Sequence, residues 1–96
     1  MFEIDIDAQG IVRIAGRLSS ASCEQARRFL EATGVPRVID CTDLRFLSSA
    51  GLGVLLVVQK RLTDSGDTLT LRHVSAEIRE VLRHTGLDGI FDVEGG

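Results

Sequence analysis

Residues 37–60, RVIDCTDLRFLSSAGLGVLLVVQK, constrain the fold of this chain more than any other stretch. Val38, Ile39 and Cys41 form a short apolar run of the kind that suits a strand near the middle of a sheet. A polar connection follows, Cys41-Thr42-Asp43-Leu44-Arg45-Phe46-Leu47. After Ser48-Ser49 the pattern changes to a long apolar helix, with Leu52, Leu55, Leu56 and Leu62 on one face. A serine just ahead of such a helix is a natural N-cap, because its hydroxyl can accept from an N–H that the helix leaves unpaired. Gly51 and Gly53 put little side chain on the first turns, so the backbone there can approach another surface closely. A serine hydroxyl is thus presented at a strand-to-helix turn, beside the partly positive end of a helix. Taken alone, a serine in this setting is a cap and nothing more.

The rest of the chain reads as strands and helices in alternation. Phe2, Ile4 and Ile6 alternate with acidic residues, which predicts a strand with one wet face. Ala8-Gln9-Gly10 is a turn, and Ile11 to Ala15 is a second strand, giving an antiparallel hairpin. Gly16-Arg17-Leu18 is expected to leave the sheet. Ser19-Ser20-Ala21-Ser22 opens a helix running to about Ala32, its buried face Cys23, Ala26, Phe29 and Leu30. Gly34 and Pro36 end it. Thr68 to Val74 is another strand, with Leu69 and Leu71 toward the core. Ser75 caps a third helix whose apolar face is Ile78, Val81 and Leu82. Gly86 suits the left-handed position that closes that helix, with Leu87 folded over its end. Ile90-Phe91 is expected to be a short last strand or extended segment, and Glu94-Gly95-Gly96 to fray. The order β-β-α-β-α-β-α predicts an α/β fold over residues 1–96 as one domain: a mixed sheet of four or five strands, hairpin first and parallel strands after, with three main helices. The alternation implies helices mainly on one face of the sheet and a second face that is partly wet or open to another subunit.

Composition narrows the function classes. With 44% hydrophobic residues but only 4% aromatic, and no Trp or Tyr, the core must be aliphatic. The formal charge of -3 gives no electrostatic footprint for nucleic acid. No apolar run is long enough to span a bilayer, and MFEIDIDAQG lacks the basic start and apolar block of a secretory signal, so the chain reads as cytoplasmic. Cys23 and Cys41 are read as packing residues. An enzyme is not expected. Leu47-Ser48-Ser49-Ala50-Gly51 lacks the first glycine of a hydrolase elbow, and His73 and His84 have no evident link to Ser49. There is no phosphate-binding glycine loop ending in Lys-Ser or Lys-Thr. No His/Cys cluster has metal-ligand spacing, and Asp40 and Asp43 are read as solvated loop carboxylates rather than a Mg²⁺ site. No metal or other cofactor is therefore expected.

The block Phe46-Leu47-Ser48-Ser49-Ala50-Gly51-Leu52-Gly53-Val54-Leu55-Leu56 resembles the signature of the STAS domain of bacterial anti-sigma factor antagonists, and the pattern of nearly the whole chain is similar to that family. The resemblance implies that Ser49, two residues before Gly51, is the residue phosphorylated by a partner serine/threonine kinase, itself the anti-sigma factor. It implies an unphosphorylated form that binds the kinase and frees the sigma factor, and a serine phosphatase that resets Ser49. The docking patch would comprise Leu18, Ser19, Ser20 and Ala21, then Arg45, Phe46, Leu47 and Ser48, then Ala50, Gly51 and Gly53. No membrane or direct nucleic-acid partner is expected, and a weak homodimer is left open. Two departures stand out. Many members have an acidic residue where this chain has Ser48, and another where it has Ser19 after Gly16-Arg17-Leu18. Ser48 is the alternative acceptor, though its position fits the family less well. Two other readings remain: a scaffold or accessory STAS subunit of a signalling or lipid-transport assembly without a phosphoswitch, and a small-ligand binder at the same crevice.

Overall fold

The computed structural model describes residues 1–95. In chain order the elements are β1 (Phe2–Ile6), β2 (Val12–Leu18), α1 (Cys23–Thr33), β3 (Val38–Asp40), β4 (Leu44–Leu47), α2 (Ser49–Asp64), β5 (Thr70–Val74), α3 (Ala76–His84) and β6 (Asp92–Gly95). All strands belong to one sheet, ordered β1-β2-β3-β5-β6, with β4 also paired to β2. β1 and β2 are antiparallel, and every other pair is parallel. The hairpin, the parallel strands and the three helices are as the residue pattern predicts. Two short strands, β4 and β6, are added to it.

Each addition has a local cause. β4 was hidden in the polar connection because its buried residues, Leu44 and Leu47, are three apart and so break strand alternation. It continues β3 alongside β2 after an interruption at residues 41–43, where the Leu44 N–H donates to the Cys41 carbonyl. β6 contains a single apolar residue, Val93, and its pairing with β5 comes from the backbone. Glu94 and Gly95 are therefore part of the sheet rather than frayed, while the expectation for Gly96 lies outside the described residues. Ile90 and Phe91 belong to the turn before β6, and Phe91 is buried in the core.

β2 does not end at Gly16. The glycine adopts φ +85°, and the register with the neighbouring strand shifts between Gly16 and Arg17. That is a bulge: the strand bends and carries on, trading β3 for β4 as its neighbour. The β2–α1 loop is thereby displaced to residues 19–22, and α1 begins only at Cys23. The Ser22 hydroxyl does not cap it. It donates back to the Arg17 carbonyl (2.7 Å) and accepts from the Ser19 N–H (3.0 Å).

The core lies between the helices and one sheet face. Val12, Ile14, Ile39 and Leu71 from the sheet meet Leu30 of α1, Leu55 of α2 and Leu82 of α3. The opposite face carries a row of alternating charge across five strands: Asp5 is opposite Arg13, Arg13 is beside Asp40, Asp40 is beside Arg72, and Arg72 approaches Glu94. Arg13 bridges to Asp5 at 2.8 Å. The wet face is thus polar by pairing along the row. Burial alone would raise the Asp40 pKa, but the Thr42 hydroxyl and N–H, helped by His73 and Arg72, hold its carboxyl below the usual range. Its stabilising effect is present above the ordinary carboxylate range and is lost as pH falls through the lowered value.

One polar residue inside the apolar α2 run has a defined task. Gln59 is buried, and its Oε1 accepts from the Leu69 N–H (2.7 Å) at the entry to β5. Gln59→Leu should leave that N–H without a partner and destabilise the fold by about 1–3 kcal/mol. Urea denaturation checks this, and an unchanged midpoint would show that the bond is dispensable.

Candidate functional site

The turn between β4 and α2 is built from the residues that enclose it. Leu47 and Leu18 are buried at the carboxyl ends of β4 and β2, and the Ser48 N–H donates to the Leu18 carbonyl (3.0 Å). Ser48 is the N-cap. It has extended backbone, and its Oγ accepts from the Gly51 N–H at 3.3 Å. Ser49 is therefore the first helical residue rather than the cap, and it is exposed. Among the described residues, no acceptor meets the N–H of Ser49 or Ala50, and the first turn of α2 holds no acidic side chain. The helix end next to the Ser49 hydroxyl keeps two open donors and its full partial positive charge.

Gly51 allows this arrangement. A Cβ on it would stand 2.5 Å from the Leu18 carbonyl oxygen, 2.9 Å from Leu18 Cγ and 3.0 Å from Leu47 Cδ1. The close approach anticipated for this glycine is thus to β2 of the same chain.

The other patch residues divide by exposure. Ser20, Ala21, Arg45 and Gly53 are exposed, and Ser19, Ser48 and Ala50 are half-buried. Phe46 is 37% exposed. Leu18, Leu47 and Gly51 are buried, so they shape the patch from beneath and offer no side chain to a visitor. Sequence reasoning passed over two residues here. Arg17 is exposed, and its guanidinium lies 4.0 Å from the centre of the Phe46 ring, forming a cation–π pair on the rim. Ser22 fixes the β2–α1 loop beside the turn through the two bonds above. Only the extension of β2 past Gly16, invisible as a pattern, brings Arg17 over Phe46.

The remaining chemistry-bearing residues lie elsewhere. Among the described residues, no three His, Cys, Asp or Glu side chains could hold a metal ion together. Asp40 is bonded to Thr42, and Asp43 reaches Arg13 at 3.5 Å. Cys41 is buried, and burial pushes its thiol up to about 12. No helix among the described residues is long and apolar enough to cross a membrane.

The family model described as Mlab, STAS domain, matches residues 4–93. The chain belongs to the STAS domain family. Among curated relatives of this STAS domain is BtrV of Bordetella bronchiseptica, named as an anti-sigma factor antagonist; it is 37% identical over 92 residues, 92% of this chain and 79% of BtrV. Solved structures share the fold. One, named as an anti-sigma factor antagonist from Thermotoga maritima, matches with a TM-score of 0.80 at 19% identity, over 99% of this chain and 86% of that one. The anti-sigma factor antagonist SpoIIAA in its unphosphorylated form matches at 0.71, with 23% identity, over 97% of this chain and 87% of SpoIIAA. The phosphorylated form of the Bacillus SpoIIAA matches at 0.65, with 23% identity, over 97% of this chain and 90% of SpoIIAA.

Proposed function

We propose that this STAS domain is a phosphorylation-controlled anti-sigma factor antagonist: unphosphorylated, it docks its Ser49 edge on an anti-sigma factor kinase and displaces the sigma factor. Phosphorylation of Ser49 ends the docking, and a serine phosphatase restores it. The observation that carries the reading is the exposed Ser49 in the first turn of α2, one residue past the Ser48 cap. The chain supplies only the acceptor. ATP, metal and base come from the kinase.

The physics of the switch is local. A phosphate adds about -1.5 to -2 charges. Within the free domain, the open N–H groups and positive end of α2 carry that charge at little cost. Pressed into a protein interface, the same charge must shed its water, and without a waiting cation this costs several kcal/mol, on the order of a buried unpaired ion. No refolding is needed, since the turn is already at the surface. Incubation with the anti-sigma factor kinase and ATP, followed by intact mass and site mapping, tests the reading. One phosphate on Ser49 is expected; a phosphate only on Ser48, or none, would sink it.

A second reading keeps the STAS fold without the switch: an accessory STAS subunit of a signalling or lipid-transport assembly, which the serines at positions 19 and 48, in place of the acidic residues common in the family, leave open. In that case the same incubation leaves the mass unchanged, and the assembly is recovered equally well with wild type and Ser49→Asp.

A further inference from the structure

The two arginines of β2 meet opposite fates. Arg13 reaches Glu3, Asp5 and Asp43. Arg17, at the far end of the strand, is exposed and pairs with no carboxylate among the described residues. It stands across from Phe46 in the β2–β4 register and holds its guanidinium 4.0 Å from the ring centre. Phe46 is itself 37% exposed, while the other three phenylalanines are buried or half-buried. The stem of Arg17 would suffice to shade that ring. Its charge satisfies nothing within the domain.

The surroundings give that charge a direction. Arg45, next to Phe46, has a side chain 73% exposed, and it approaches Asp43 only at 4.0 Å, a carboxylate already shared with Arg13 at 3.5 Å. Ser19, Ser20 and Ala21 follow β2, Ser48 caps α2, and the first turn of α2 has no acidic residue. Two guanidinium groups and an open helix N-terminus therefore make this edge positive, in a chain whose formal charge is -3. The arginine also sits close to the acceptor turn: Leu18, which follows it, accepts from the Ser48 N–H through its carbonyl. An arginine already stacked on a ring loses less freedom on pairing than one that roams, and arginine and aromatic residues are the usual anchors of protein interfaces.

We infer that Arg17, held by Phe46 and flanked by Arg45, is a specificity-determining contact for an acidic segment of the anti-sigma factor kinase, whose Asp or Glu carboxylate pairs with the Arg17 guanidinium. The inference rests on reading the Ser49 edge as the kinase docking surface, and it adds the chemistry of the kinase face. Two cations beside Asp43 fall short of the roughly four to eight that make a polybasic membrane segment. A second copy docked through the same patch would bring like charges together. The pairing also gives the switch its sign. A kinase face that carries carboxylates for Arg17 offers no cation to a phosphate on Ser49, so the modified edge meets charge of its own kind.

The test uses the kinase purified after capture on Ser49→Ala protein, titrated calorimetrically at about 50 and 300 mM salt with the wild type, Arg17→Gln and Arg17→Glu. Thermal melts of the same samples should agree within a few degrees, since Arg17 is exposed. Arg17→Gln is expected to bind several-fold more weakly and Arg17→Glu at least about tenfold. Salt should weaken the wild type more than Arg17→Gln, a difference that mere shading of Phe46 would not produce. Arg17→Lys, treated with carbodiimide in the complex, should form an amide crosslink from position 17 to a kinase Asp or Glu. Lys60, the one natural lysine, controls for adventitious coupling. Wild-type affinity in Arg17→Glu would overturn the inference and leave the Ser49 reading standing. Weaker binding without a crosslink at position 17 would overturn it too, because the arginine would then act without touching a carboxylate. A wild-type chain that binds no kinase overturns the Ser49 reading and this inference with it. Binding to phosphatidylserine vesicles that is lost in Arg17→Glu would give the pair to a membrane and also overturn it.

Discussion

Ser49→Asp is expected to bind the anti-sigma factor kinase about 100-fold more weakly than wild type, while Ser49→Ala stays within a few-fold of it. The asymmetry follows from where Ser49 lies. Ser49 is exposed in the free domain, in the first turn of α2. Alanine removes a hydroxyl that no bond within the domain uses, and leaves the surface flat. A carboxylate at the same point must be stripped of water when the partner closes, and about 3 kcal/mol of such a penalty corresponds to roughly 100-fold in affinity. Neither change should weaken the fold. Aspartate in the first turn of α2 faces the open N–H groups and should add about 0.3–1 kcal/mol of stability. Calorimetric titration and thermal melts on the same samples separate the effects. Equal affinity of Ser49→Asp and wild type would remove the electrostatic basis of the switch.

Gly51→Val should destabilise the domain by about 3 kcal/mol or more, a loss characteristic of overpacking against a backbone that cannot move aside. The added Cβ would lie 2.5 Å from the Leu18 carbonyl oxygen, and that oxygen is already held by the Ser48 N–H. Relief requires α2 to separate from the end of β2, which would also displace Ser49. Gly53 gives the opposite sign two residues later. Gly53→Ala should stabilise by about 0.5–1 kcal/mol, since it meets no neighbour and improves helix propensity. Denaturant midpoints for the two alanine variants, Gly51→Ala and Gly53→Ala, make the comparison direct. Equal and small shifts would mean that the β2–α2 seam is loose.

The two glycines also show why the signature block looks as it does. In the sequence they are equivalent, two small residues opening a helix. In the fold, Gly51 is needed by its own chain and Gly53 is not. The block therefore combines a folding requirement, Gly51 under Leu18, with an exposed Ser49 and a glycine at position 53 that no contact within the domain requires.

Much of the site was legible from residue types. Ser48-Ser49 before an apolar 3.6-residue pattern places a helix start, and the run Val38-Ile39 before it places a strand. The assignment of the cap to Ser48 and of the exposed first helical position to Ser49 needed coordinates, because two adjacent serines satisfy the same pattern. Leu18, Leu47 and Gly51, which sequence proximity groups with the turn, are buried, the leucines at the ends of β2 and β4 and Gly51 by the packing of α2 against Leu18. The position of Arg17 over Phe46 depends on a bulge that no residue pattern announces.

By itself the sequence determined the three helices, the hairpin, the aliphatic core and the turn that presents Ser49, because each rests on short-range periodicity and on the local chemistry of caps and glycines. Tertiary structure alone decided the course of β2 past Gly16, the existence of β4 and β6, and the charged row across the wet face. Those depend on which backbone finds which neighbour across the sheet. Pairing of that kind is fixed by the packed whole, where a strand with one apolar residue can be held by its partner's N–H and C=O groups.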